Sequence, residues 1–180
     1  TDIVLYRKFV NGDFDCELNN LTDELSSEFT AFLLGCSFSF ENALTDSGIY
    51  LPHFEKKGNV SMYSTSLNTR PSIYFSGPLV VSMRWIPEDK VDQAVKITEK
   101  YKKNHGGPIH IGDPSKIGIN SIESPDFGEY WSPLNKNDVP VFWACGVTPQ
   151  LSLQKSKLPL VYTHSPGYMF VTDLKENEYS

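Results

Sequence analysis

Apolar and polar positions alternate loosely over residues 3–10, a period-two pattern that predicts a strand. Asn11-Gly12 follows, two residues that tolerate positive φ, so a tight hairpin turn is expected with residues 14–18 as the returning strand. The period then changes. Leu21, Leu25, Phe29, Phe32 and Leu33 recur at helical spacing behind Thr22, a residue suited to an N-cap, and Asp23 and Glu24 suit a first turn. A helix is therefore predicted from Thr22 to near Gly35. A second, shorter one is predicted over about 38–47, with Ser37 as its cap and Gly48 at its stop.

Residues 49–59 read as loop. Strands are predicted over 60–68 and 73–83 around Thr69-Arg70-Pro71-Ser72, with Arg84 at the end of the second. Pro87 suits the first position of a helix whose inner face is Val91, Ala94, Val95, Thr98 and Tyr101, and Asn104 suits a left-handed stop. Residues 108–111 complete a β-α-β unit, in which Ile109 and Ile111 share a buried face and His110 points the other way. A turn-rich loop over 120–138 leads to a strand over 139–144 and a helix ending near Lys155. Two further strands, 160–164 and 169–172, flank Ser165-Pro166-Gly167-Tyr168, which suits a type II turn. The order predicts an α/β (α+β mixed) protein, a mixed sheet with flanking helices built from β-α-β units. A single domain over 1–180 is expected, with a small inserted α+β subdomain over about 60–120 as an option.

Composition narrows the function. At 39% hydrophobic and 21% charged, the 180 residues are ordinary globular material. Net charge is −6 and basic residues never run longer than two, which argues against a nucleic-acid partner. No apolar run approaches a membrane span, so no membrane partner is expected. Cys16, Cys36 and Cys145 lie far apart, which fits a reducing compartment and neither a zinc ribbon nor a disulfide scaffold.

The richest local chemistry is at 106–118, where glycines and prolines frame His110 and Asp113. Gly107 and Gly112 have the spacing of a phosphate loop, but Asp113-Pro114 stands where Lys-Ser/Thr is required. Asp113 also reads as a helix cap, with Pro114 at the first position and Gly118 past the end. His110 is a candidate proton shuttle or a satisfied semi-buried histidine. Cys36 and Cys145 each precede an expected helix start, a position that lowers a thiol pKa, although small buried thiols are common. Ser37 and Gly146 would present backbone N–H groups there. Glu41 is a candidate base or a commonplace helix glutamate. Arg84 suits a bidentate grip on a carboxylate, or a surface ion pair. His164, with His110 and Asp113, allows a metal site, but no tight ligand spacing supports one, and neither metal nor cofactor is expected.

Several segments together resemble the D-glutamate cyclase family. They are Phe32-Leu33-Leu34-Gly35-Cys36-Ser37-Phe38-Ser39-Phe40-Glu41, Gly77-Pro78-Leu79-Val80-Val81-Ser82-Met83-Arg84, His105-Gly106-Gly107-Pro108-Ile109-His110-Ile111-Gly112-Asp113-Pro114, the stretch from Val139 through Trp143-Ala144-Cys145-Gly146 to Gln150, and His164-Ser165-Pro166-Gly167-Tyr168 onward to Leu174. The resemblance implies a hydro-lyase that converts D-glutamate to 5-oxo-D-proline and water. It also implies a cytoplasmic bacterial protein, with the mitochondrial matrix as the alternative. Family members usually carry a segment upstream of the position of Thr1, and often a histidine where Tyr168 stands. The expected partner is a small carboxylic acid, and a homo-oligomer is compatible. On this reading His110 and Asp113 move protons, with Cys36 or Cys145 as thioester nucleophiles in a second scheme, and Arg84, Ser37, Gly146 and His164 hold substrate. A non-catalytic carboxylic-acid binding module and a metal-dependent hydrolase are the alternatives.

Overall fold

The computed structural model describes residues 2–26, 28–165, 168–175 and 178. Two antiparallel sheets with flanking helices give the mixed α/β class expected from the element order. The smaller sheet contains β1 (Tyr6–Val10), β2 (Asp13–Leu18) and β7 (Leu160–His164), in the order β2-β1-β7. Asn11 and Gly12 both take positive φ, 53° and 84°, the geometry the hairpin turn demands.

The larger sheet contains β3 (Ser61–Asn68), β4 (Pro78–Pro87), β5 (His110–Ile111) and β6 (Asp138–Ala144), in the order β3-β4-β6-β5. Both β4 and β5 run antiparallel to β6, so they are parallel to each other. Helix α3 (Val91–Thr98) lies between them in the chain, and the expected β-α-β unit is thus present in split form, with β6 inserted.

Alternation along these strands sorts the core onto two faces. Ser82 pairs with Trp143, Arg84 with Val141 and Ile86 with Val139. This face is covered by a 3₁₀ turn (Ser37–Phe40) running into α1 (Glu41–Asp46), by the single turn α2 (Pro52–Glu55) and by α3, whose Phe40, Leu44, Leu51 and Ala94 join Ile86, Val141 and Trp143 in one buried cluster. The other face carries Val81, Met83 and Phe142, packed with Tyr63, Ile117 and Ile119. Each fully buried Leu or Phe in these clusters stabilises by about 1.5–3 kcal/mol. Helix α4 (Val147–Ser156) follows β6.

Several expectations fail. The helix predicted from Thr22 does not form. One turn closes, Leu25 N–H to Leu21 C=O at 3.0 Å, and the described chain beyond it is irregular. Only Leu21 of its apolar stripe is buried, whereas Phe32 and Leu33 are 79% and 75% exposed. An amphipathic helix draws its stability from a surface to pack on, and beyond buried Leu21 and the Phe29 ring against Tyr162 this stripe stays exposed. Glu24 is instead held by Lys8 Nζ at 2.8 Å and by the Tyr162 hydroxyl, both on the small sheet. The second predicted strand begins at Pro78 rather than residue 73, because Ser72 and Phe75 close a turn that leaves Ile73 outside. Ile109 and Ile111 are half exposed rather than buried, since β5 is a two-residue edge strand. Residues 169–172 form no strand, and Pro166 and Gly167 of the expected turn lie outside the described residues. Among the described residues no helix is long and apolar enough to cross a membrane.

Candidate active site

The helical side of the larger sheet buries a polar cluster. Arg84 is not at a strand end, as the sequence suggested, but inside β4 with its side chain wholly enclosed. Its Nε and Nη2 both donate to Glu41 Oε1, at 2.8 and 2.5 Å. Nη1 donates to Ser82 Oγ at 3.0 Å, and Nη2 also to Ser37 Oγ at 3.2 Å. Phe40 and Trp143 lie against the guanidinium, their ring centroids 5.2 and 5.4 Å from its carbon. His53 Nε2 completes the group, 2.7 Å from Glu41 Oε1. Burial pushes the Glu41 carboxyl up, but Arg84 and His53 outweigh it and hold the group below the ordinary carboxylate range. The guanidinium expected to grip a substrate carboxylate is thus already filled by one from its own chain.

Beside this cluster sit two of the expected cysteines. Cys36 precedes the helical segment that opens at Ser37, and Cys145 follows β6, with Gly146 as the N-cap of α4. Both thiols respond to the Arg84 charge, and Cys36 adds to the upward push on Cys145. The N–H groups of Phe38 and Ser37 favour the Cys36 thiolate, and those of Val147 and Gly146 favour that of Cys145. Burial nevertheless prevails and pushes both thiols up, against the lowered values expected from helix starts alone. Cys145 Sγ also lies 3.4 Å from Met62 Sδ. At Gly146 a Cβ would meet nothing within 4 Å, so the start of α4 faces open space.

The remaining expected residues lie elsewhere. His110 pairs with Phe142 and shares its side of the sheet, opposite to Arg84; its ring centroid is 5.9 Å from that of Phe142. Its Nε2 is 2.8 Å from the Asp113 carbonyl oxygen. Asp113 caps the 3₁₀ turn Pro114–Ile117, accepting from Ser115 N–H at 3.0 Å and from its hydroxyl at 2.8 Å; those bonds hold its carboxyl below the usual range. His164 ends β7 in the small sheet, with Nδ1 2.9 Å from the Ser165 carbonyl oxygen. Among the described residues no three His, Cys, Asp or Glu side chains are placed to hold one metal ion.

Sequence reasoning missed two histidines. His53 lies in a stretch read as loop, and Pro52, at the first position of its single helical turn, was the available signal. His105, where the left-handed stop falls in place of Asn104, has φ of 79°. A cleft of about 180 Å³ is lined by Tyr50, Pro52, Trp85, Pro87, Leu134 and Asp138, among others. It shares Pro52 and Trp85 with a void of about 10 Å³ beside His53 and Arg84, and neither reaches Cys36 or Cys145. Among the described residues no Lys, Arg or His side chain lines the larger cleft.

The sequence profile of the D-glutamate cyclase family matches residues 30–173, which include every element of this cluster. The chain belongs to that family. A protein of Thermoanaerobacter sp. strain X514 named "Putative hydro-lyase" is 50% identical over 176 residues, covering 98% of this chain and 66% of its own length. Proteins of the same name from Psychrobacter arcticus and Mycolicibacterium gilvum are 48% and 46% identical over 178 residues, 99% of this chain and 67% and 68% of theirs. The chain spans about two thirds of the length of these bacterial relatives.

Proposed function

We propose that the protein is a carbon–oxygen lyase that removes water from D-glutamate to give 5-oxo-D-proline, and that it does so on the Arg84 side of the larger sheet. The observation that carries this reading is the convergence of Cys36, Ser37, Cys145 and Arg84 beside the open start of α4. Cyclisation needs a γ-carboxyl group bent onto the α-nitrogen and donors for the oxygen on which charge develops. The N–H groups of Ser37 and Phe38, and of Gly146 and Val147, supply preorganised donors. The Cys36 and Cys145 thiols, kept protonated by burial, suit proton donation better than attack as thiolates. Arg84, locked to Glu41, positions Ser37 and adds positive field. Holding the amine about 3 Å from its own carboxyl carbon supplies the proximity term.

The test is incubation of the protein with D- and L-glutamate separately, followed by chiral detection of 5-oxoproline. Product from D-glutamate alone is the expected result. Cys36→Ser and Cys145→Ser should each lower kcat by roughly 10²-fold, at the lower end of what a positioned proton donor contributes. Unchanged rates in both would remove the chemistry from this cluster. A melting temperature raised by D-glutamate without product would instead describe a binding module.

A further inference from the structure

Residues 101–105 cross directly behind the Cys36 loop. A Cβ on Gly35 would collide with the Lys103 carbonyl oxygen and with the backbone of Asn104, so only glycine permits this approach. The Asn104 amide nitrogen donates to Ser39 Oγ at 3.0 Å, in the 3₁₀ turn that leads into α1. Two buried polar atoms remain at the crossing without a partner among the described residues: Asn104 Oδ1 and His105 Nε2. Asn104 is 2% exposed. Buried polar atoms are nearly always paired in folded proteins, so two orphans on consecutive residues need a reason.

Backbone geometry makes the pair more unusual. His105 takes φ of 79° and Gly106 takes 68°, closing the turn with Gly106 N–H to the Tyr101 carbonyl oxygen at 3.0 Å. The left-handed position suits Gly or Asn. Asn104 and Gly106 flank it, yet the position itself holds a histidine. Strain of this kind persists where the surrounding structure enforces it, and it gathers at functional sites. Burial, with the nearby Arg84 guanidinium as the second cause, holds the imidazole below its ordinary value.

We propose that Asn104 Oδ1 and His105 Nε2 receive the α-ammonium group of the substrate, and that His105 is the base that takes its proton. The inference rests on the cyclase reading above and names the group that activates its nucleophile. An amide oxygen accepts only, and a neutral imidazole nitrogen can accept, so the two together match a cation that donates N–H bonds. The step balances. The ammonium gives one proton to His105, and the freed nitrogen forms a bond to the γ-carboxyl carbon. A second proton leaves nitrogen as the C–N bond matures. Both protons go to the departing γ-oxygen, which leaves as water when its C–O bond breaks, and the imidazole returns to its neutral state.

His105→Gly and His105→Asn separate chemistry from folding, because both residues relax the left-handed strain. The expected result is melting temperatures at or above that of the unaltered protein, with D-glutamate turnover reduced by 10²-fold or more. Added imidazole should restore part of the rate in His105→Gly, which a structural role would not allow. Either variant retaining turnover within a few-fold overturns the inference and leaves the cyclase reading standing. Failure of the unaltered protein to form 5-oxoproline from D-glutamate overturns that reading and this inference with it.

Discussion

The two faces of the larger sheet are built from the same strands and stabilised by different physics. On one, Met83 and Phe142 pair across β4 and β6 and pack with Tyr63, Ile117 and Ile119, a core of shape and area. One residue further along β4, Arg84 places a full positive charge in an equally dry setting, made tolerable by Glu41, Ser37, Ser82 and two aromatic rings. A buried pair of this kind adds little net stability over an apolar replacement, yet removing one member leaves an uncompensated charge. The apolar face tolerates graded change; the polar face is specified as a set. That suits the proposed function, which asks the scaffold to hold Cys36 and the helix starts in fixed register.

The largest effect should come from breaking that set. Glu41→Ala should destabilise by about 3–5 kcal/mol in denaturant unfolding, since Arg84 would be left buried and unpaired. Adding Arg84→Met to that variant should restore much of the loss. Phe142→Ala on the opposite face should cost a similar ~3–5 kcal/mol, and Arg84→Met should not relieve it. Equal non-rescue in both backgrounds would erase the distinction between the faces.

Acid should act on the polar face in two windows. His105 is held below its ordinary value, so as pH falls the unfolded chain takes up this proton first, and stability declines from about pH 6.5 downward. His105→Asn should flatten that part of the profile. Glu41 is also held low, so its contribution is complete above the ordinary carboxylate pKa of about 4.3 and is lost as pH falls through its folded value. Urea midpoints measured every half pH unit, with His105→Asn and Glu41→Gln in parallel, would show which slope belongs to which residue. A slope between pH 6.5 and 5 that persists in His105→Asn would contradict the assignment.

What could be read from the sequence was what local chemistry controls. Asn11-Gly12 predicts its turn because only a few residues tolerate two positive φ values in succession. Asp113, Pro114 and Gly118 predict a capped turn because cap, first position and left-handed stop are all short-range requirements. The stripe from Leu21 to Leu33 misled because periodicity describes a face and says nothing of what it packs on. The Arg84 cluster was out of reach for another reason. Its partners are 43 residues away at Glu41, and His53 is a further 12 along from Glu41, so their meeting depends on how the helices fold back over the sheet. Cys36 and Cys145 were singled out individually as helix-start thiols, and the fold brings them together.

The smallest predicted effect is the most discriminating. His110 carries the strongest local signal in the sequence, a histidine at a strand end before a glycine turn. In the structure it lies on the side of the sheet that Met83 and Phe142 share, so one glutamate cannot touch both it and the Cys36 loop. Its one described hydrogen bond, between Nε2 and the Asp113 carbonyl oxygen, steadies the turn at Pro114. Removing such a bond at a partly exposed site costs about 0.5–1.5 kcal/mol. His110→Ala should therefore lower the urea midpoint slightly and leave kcat for D-glutamate within about threefold, roughly 0.65 kcal/mol in barrier height. Loss of turnover in a folded His110→Ala would move the chemistry to the other face of the sheet and return the glycine loop at 106–118 to the centre of the mechanism.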